Sequence, residues 1–573
     1  MKDLLSSSRS ENTLLSLSIM GGGLGVISAF AMVCLFWVIH VPALLLMDGD
    51  VERFEQLTAV ERFSFPILAT FVLIIITYFL SPHSQKVGVT FVIERLNNHQ
   101  GNLPTLNAIV QFITAAVCLI GGLSIGKEGP AVHIGATCGS FLARIAKLPV
   151  ISVETLVACG IAGAVSAAFQ TPLAGVLFAL EVILLEYRLS YILPVILSSV
   201  VATLMSKWLL GDLDVFSFTN VVLPNFSFDV YFACGLFALV IVILAVSFFR
   251  IQQLSWSFGK LHFSIRFAFI GVVTAVLGVF FPEILGAGYD SLSLLVNGGS
   301  LVTPLLLVLF IKIALTGVSV GLGIPGGMIG PTFLIGGLAG VQVALWVDTG
   351  ISPDVAIPLF ALIGMSAMMA ASFQAPLTAL VAIIEMTHRS EIMLPAMLVI
   401  GVSCLIIRTF FKQQSIFVER LHFMGLESQI SASTRFLRQN SINSISVPVL
   451  QLDRYVGFER IQDLRSTVVD YIALEQADGQ MSIVRRNQLL NAFELLDKGA
   501  QPWLIEQGDD ILVDLINMTA FKVIPIVDVS DSLEAMLKWF NEHHVDQALI
   551  QLPAINQYEL VEKSKLYHSL LSR

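Results

Sequence analysis

Charge is what this chain of 573 residues has least of. Asp, Glu, Lys and Arg make up 13% of it, against roughly 25% in soluble globular proteins. That deficit excludes a water-soluble fold for most of the chain. The net charge of −10 leaves no basic excess, so neither nucleic-acid binding nor an anionic-lipid patch is expected. The six cysteines lie singly in apolar segments without CxxC spacing and read as packing residues. Walker, catalytic-triad and metal-ligand spacings are missing, so neither an enzyme nor a cofactor is expected. The alternating strands of a membrane β-barrel are missing too.

What is present is a succession of apolar runs from Leu17 to about Phe417, such as ISAFAMVCLFWVIHVPALLL and YFACGLFALVIVILAVSFF. Several can span the roughly 30 Å hydrocarbon layer. They predict a polytopic helical membrane protein lodged in a lipid bilayer. Residues 1–16 hold Lys2 and Arg9 and no A-x-A-like cleavage site, and read as a short cytosolic segment. Charge returns beyond residues 420–430, which divides the chain into a membrane domain, 17–423, and a water-soluble tail, 430–573.

The membrane domain repeats itself, over about 17–215 and 225–423. GIAGAVSAAFQTPLAGVLFALE (Gly160–Glu181) matches GMSAMMAASFQAPLTALVAIIE (Gly364–Glu385). A glycine-rich stretch with a proline precedes each copy, GKEGP (Gly126–Pro130) and GGMIGP (Gly326–Pro331). Interrupted apolar segments at matching places point to a transporter with its ion site between broken helices. The physics favours an anion. A half-helix starting inside the membrane offers unpaired N–H groups and the positive end of its dipole. Glycine lets the backbone approach, and proline in the first turn removes an N–H that has no partner. Within the first motif, Lys127 and Glu128 are ionisable residues in an apolar setting, which marks a functional site.

GKEGPAVHIG, GIPGGMIGPTF and SAAFQTPLAGVLFALE together resemble the CLC chloride channels and chloride/proton antiporters over about residues 20–423. The resemblance implies an all-α CLC fold of about 17 or 18 helices in two inverted repeats. It also implies a homodimer with one pore per subunit, chloride as the bound permeant ion, and a bacterial inner membrane with both termini cytoplasmic. Glu128 matches the family's gating glutamate, within the motif Gly126, Lys127, Gly129 and Pro130. A carboxylate suits a gate because it mimics the anion and its charge is set by protonation.

Four positions bear on mechanism. The family's serine loop aligns with KVGVT (Lys86–Thr90), which puts Val87 beside Gly88 where a hydroxyl donor is usual; Ser84 or Thr90 could substitute. The family's tyrosine donor aligns with Phe417. Backbone donation at Met328 and Ile329 would remain. The antiporters' internal proton glutamate falls on Val182, one residue after Glu181. Glu181 and Glu385 read as structural carboxylates near helix ends. Pro130 sets the chain apart from the family's fluoride exporters, which usually lack it.

The tail reads as mixed α/β. FKVIPIVDVSDSLEAML leads from a strand into a helix capped by Asp531 or Ser532. It resembles a degenerate pair of CBS domains. Gln488 and Lys565 stand where nucleotide-binding versions keep an aspartate, so nucleotide binding is not expected. EHH (Glu542–His544) reads as a solvated helix face. The expectation is a voltage-gated type of chloride channel, passing chloride or other small anions passively under the control of Glu128. The alternative is a chloride/proton antiporter.

Overall fold

The computed structural model describes residues 2–47, 54–185, 187, 189–212, 226–296, 303–347, 350–426, 445–476, 479–494, 503–507, 510–527, 533–552 and 557–566. Asp531 and Ser532, read as a helix cap, lie outside them. The chain divides into two units, residues 1–429 and 430–573.

Among the described residues, the first unit is built from helices joined by short connections. Its first half comprises α1 (Lys2–Met47), α2 (Ala59–Tyr78), α3 (Val89–Asn98), α4 (Thr105–Ile120), α5 (Glu128–Ile145), α6 (Val150–Phe169), α7 (Pro172–Phe178) and α8 (Leu189–Leu210). The second comprises α9 (Phe228–Ser257), α10 (Phe263–Phe280), α11 (Tyr289–Val296), α12 (Leu305–Gly321), α13 (Ile329–Trp346), α14 (Pro353–Phe373), α15 (Pro376–Thr387), α16 (Met393–Phe410) and α17 (Ile416–Phe423). Among the described residues, nine helical stretches are long and apolar enough to cross a membrane. Others, such as α7 and α17, are too short to span. The N-terminal residues read as a cytosolic segment already belong to α1, whose apolar stretch opens at Leu14.

The repeated motifs build the same local structures twice. In F-Q-x-P-L the glutamine ends one helix and the proline starts the next. Gln170 and Gln374 close α6 and α14 in the left-handed region, at φ 56° and 53°. Pro172 and Pro376 then occupy the first turns of α7 and α15, where proline loses no helical hydrogen bond. The turns leave free amides, and each repeat caps the other. Glu181 accepts from the N–H groups of Leu377 (3.2 Å) and Thr378 (2.7 Å) and from the Thr378 hydroxyl (2.6 Å). Glu385 accepts from Leu173 (2.9 Å) and Ala174 (2.8 Å). The structural reading of both glutamates therefore holds, with the partners exchanged between repeats. Close helix crossings are duplicated as well. A Cβ on Gly160 would overlap the Gly135 carbonyl where α5 meets α6, and one on Gly364 would overlap the Gly336 carbonyl where α13 meets α14.

The second unit contains β1 (Val447–Leu452), β2 (Tyr455–Gly457), α18 (Phe458–Asp463), β3 (Tyr471–Glu475), β4 (Met481–Arg485), α19 (Arg486–Glu494), β5 (Leu504–Gln507), β6 (Asp510–Asp514) and α20 (Leu515–Met518). β7 (Lys522–Val523), β8 (Ile526–Val527), α21 (Leu533–His543), β9 (Gln547–Leu552) and β10 (Gln557–Glu562) follow. Seven strands form one sheet in the order β7-β4-β3-β1-β10-β9-β8, and β2-β6-β5 form a second. Parallel pairing joins β1 to β3 and β8 to β9. Gln488 and Lys565 are exposed, as are Glu542, His543 and His544. Asp514 is buried, accepts from the Arg454 guanidinium at 2.9 and 3.1 Å, and caps α20 through the Ile516 N–H.

Two measurements test these contacts. Glu385→Ala strands the first amides of α7 and should cost about 2 kcal/mol, read as a lower thermal midpoint of the full chain in detergent. In the tail, the Arg454 hydrogen bonds hold the Asp514 carboxyl below the ordinary carboxylate range. Its contribution is then complete above the unfolded value near ~3.9 and lost as pH falls through the lower folded value. Exchange protection of residues 510–518 in the full chain, taken against the intrinsic rate at each pH, should fall below about pH 4; in Asp514→Asn it should be low already at pH 7 and change little on acidification.

Candidate anion pathway

Two interrupted segments meet inside the first unit. Gly126 and Gly327 form an isolated antiparallel bridge, with N–H to carbonyl distances of 2.8 and 2.7 Å. Each glycine lies just before a helix, α5 or α13, so the bridge brings the two N-termini together. A side chain at either place is excluded by what lies against it. A Cβ on Gly126 would overlap Glu128 Oε2, and one on Gly327 would lie 2.8 Å from the same oxygen. The glycines of the two motifs therefore form the cradle of a carboxylate. Gly129 packs as closely, its Cβ position being 2.7 Å from the Gly326 carbonyl. Pro130 sits in the first turn of α5.

Glu128 is the first residue of α5 and is 1% exposed. Its Oε1 accepts the Tyr289 hydroxyl at 2.7 Å, while Oε2 has no partner among the described residues. Lys127 does not coordinate the carboxylate by a direct ion pair; its ammonium lies 5.4 Å from the Phe169 ring and 5.6 Å from the Tyr289 ring. Cation–π contact holds that charge on the two rings beside the Glu128 carboxylate. Tyr289 itself is held by a tied loop. Lys312, fully buried, donates to the carbonyls of Ile284 (2.8 Å) and Gly286 (2.7 Å), just ahead of α11.

A cavity of about 100 Å³ opens on Glu128, lined by Val87, Gly88, Thr90, Gln111, Gln252, Met328, Ile329, Phe417 and Arg420, among others. The sequence-derived residues Val87, Gly88, Met328, Ile329, Phe417 and Glu128 thus come together around one space. Of the two candidate substitute hydroxyls, Thr90 lines the cavity; Ser84 is bonded to Ser81 at 3.0 Å. The Gly88 N–H is committed to His133 Nδ1 at 3.3 Å. Phe417 stacks on Phe373, ring centroids 5.3 Å apart. Met328 and Ile329 open α13, whose first amides have no partner within the helix. Val182 is buried in a π-helical turn, Ala179–Leu184, and lines neither this cavity nor its neighbour.

That neighbour, of about 210 Å³, shares Val87, Thr90, Gly323, Pro325 and Arg420 with the first and adds Lys86, Glu94 and Arg266. Arg266 donates to the Leu322 carbonyl at 2.7 Å and Arg420 to the Gly321 carbonyl at 3.2 Å, both at the C-terminal end of α12. They neutralise a helix end and make the approach positive. Sequence reasoning missed Tyr289, Arg266 and Arg420. The two arginines carried a signal, being charges in apolar stretches; Tyr289 carried none.

Residues 68–408 match the voltage gated chloride channel family. The chain belongs to that family. A ClcB-like protein of Ralstonia nicotianae is 29% identical over 325 residues, 55% of this chain and 74% of its own length. An H(+)/Cl(-) exchange transporter, ClcA of Vibrio cholerae, is 29% identical over 331 residues, 55% and 69% of the two chains. The crystal structure of a eukaryotic CLC transporter shares the fold at a TM-score of 0.60 and 18% identity, covering 96% of this chain and 98% of its own. Glu128 stands where the two half-helices meet, as the first residue of α5 two places after the Gly126–Gly327 bridge.

Removing the Tyr289 hydroxyl tests how Glu128 is held. A hydrogen bond to a charged group contributes about 1.5–3 kcal/mol. Tyr289→Phe should free the carboxylate from its cradle and raise chloride flux from liposomes several-fold at neutral pH, whereas an unchanged flux would show that the hydroxyl does not restrain the gate.

Proposed function

We propose that the chain exchanges chloride for protons across the membrane, with Glu128 as the group that carries the proton and blocks the anion path in turn. The carrying observation is the Glu128 carboxylate, buried between two helix N-termini with one oxygen held by Tyr289 and the other unpartnered beside the cavity. A carboxylate there occupies an anion's place when charged and vacates it when neutral, which links proton and anion movement. The Vibrio cholerae relative is an H(+)/Cl(-) exchange transporter, which supports this over the passive channel expected from Val182.

Val182 gave the channel reading because valine relays no proton. Its side chain lies off both cavities, so the anion path does not depend on it. Glu181, next to it, is committed to capping α15. On this reading protons leave Glu128 by a route that uses neither residue. We further propose a homodimer, cytoplasmic termini and a degenerate CBS-like tail that contributes contacts or gating without nucleotide. The mixed sheet of the tail and the exposed Gln488 and Lys565 support that last point.

The test is simultaneous recording of chloride and pH with purified protein in liposomes under a chloride gradient. Chloride-driven uphill proton movement in the parent, lost in Glu128→Gln while chloride flux persists, is the expected result. Chloride flux that never moves protons uphill would overturn exchange and restore the passive channel.

A further inference from the structure

The cavity between Glu128 and Arg420 contains an amide that nothing described in the chain satisfies. Gln111 on α4 is fully buried, and neither its Nε2 nor its Oε1 has a partner. Polar neighbours on the same helix are satisfied: Asn107 donates to the carbonyls of His83 and Lys86, both at 2.9 Å, and Thr114 to Val110 at 2.6 Å. A buried amide left unmatched is costly, and a native structure keeps one where something else completes it. Gln111 lines the cavity, so its missing partner belongs there.

The surroundings indicate what that partner is. Arg420 and the opening residues of α13, Met328 and Ile329, line the same space, and both a guanidinium and a helix N-terminus favour an anion. The other buried amide, Gln252, is taken up by Met328 Sδ at 3.2 Å. The two places where a hydroxyl donor was expected hold Val87 and Phe417, which have none to give. Gln111 can present its N–H groups by a half-turn of the terminal amide. A neutral donor also suits a permeant ion, which must bind and then leave.

We propose that Gln111 is a side-chain ligand of the permeant anion, donating from Nε2 to a halide in the cavity beside Glu128. The assignment rests on the transport reading above and names the donor that replaces the missing hydroxyls.

Chloride titrations of the full-length protein in detergent, with flux in liposomes, test this. Gln111→Met keeps length and removes the donor; chloride affinity should fall about tenfold, as for loss of one hydrogen bond to a charged group. Gln111→Lys replaces the neutral donor with a cation, and should bind chloride more tightly while turning over more slowly. A merely structural role would not move affinity in opposite directions. Equal chloride affinities in the parent and in whichever variants melt like it would overturn the assignment of Gln111 while leaving transport intact. A parent that neither binds nor moves chloride would overturn the transport reading, and the ligand role with it.

Discussion

Two backbone hydrogen bonds, between Gly126 and Gly327, hold together the two places where helices begin inside the membrane unit. Everything at the site follows from that contact. It brings the N-termini of α5 and α13 to one point, so that two sets of unpaired amides and two positive dipole ends share a cavity. It also demands glycine. With Cβ atoms at either position the Glu128 carboxylate could not lie where it does. Backbone pairing, carboxylate and cavity are one arrangement, and a change to any part alters the rest.

The repeat explains how such a contact is kept without a stiff scaffold of charges. Each half ends its central helix with a left-handed glutamine, starts the next with proline, and sends a glutamate across to cap the other half's new helix. The exchange of caps ties the halves together in the same currency twice. Glycine crossings repeat as well, Gly135 against Gly160 and Gly336 against Gly364. Against this symmetry two positions break rank: Lys127 and Glu128 open α5 where Met328 and Ile329 open α13. A scaffold built twice thus carries an ionisable carboxylate at the start of one junction helix and an apolar side chain at the start of the other.

Much of this was legible in the sequence, because it is local or duplicated. Glycine and proline inside apolar runs announce broken helices, a glutamate among them marks a functional site, and the second copy guards against reading chance as pattern. Val87, Met328, Ile329 and Phe417 could be gathered only through likeness to a family. Tyr289 escaped because its contact with Glu128 spans 161 residues and a tyrosine near a helix start has no special signature. Arg266 and Arg420 could have been singled out as charges in apolar stretches, as could Gln111 in IVQFITAAV. What hid them is that a sequence shows a buried polar group without showing whether it is satisfied. Arg266 and Arg420 turn out to bond the end of α12; Gln111 turns out to bond nothing described.

On the proposed exchange reading, that difference bears on how an anion would pass. An anion drawn in by Arg266 and Arg420 meets cations already engaged with backbone carbonyls, which tempers their hold on it. Deeper in, it would meet the start of α13, the neutral side chains of Gln111 and Thr90, and apolar walls from Val87 and Phe417. Dehydration is compensated only in part there, since apolar walls give nothing back. At the end stands a carboxylate that competes for the same place. On that reading a site made this way would hold its ion weakly and yield it readily, and the exchange of anion for carboxylate would be the step at which protonation acts. The absent hydroxyls then belong to a design in which turnover is set more by Glu128 and its tether to Tyr289 than by affinity at the centre.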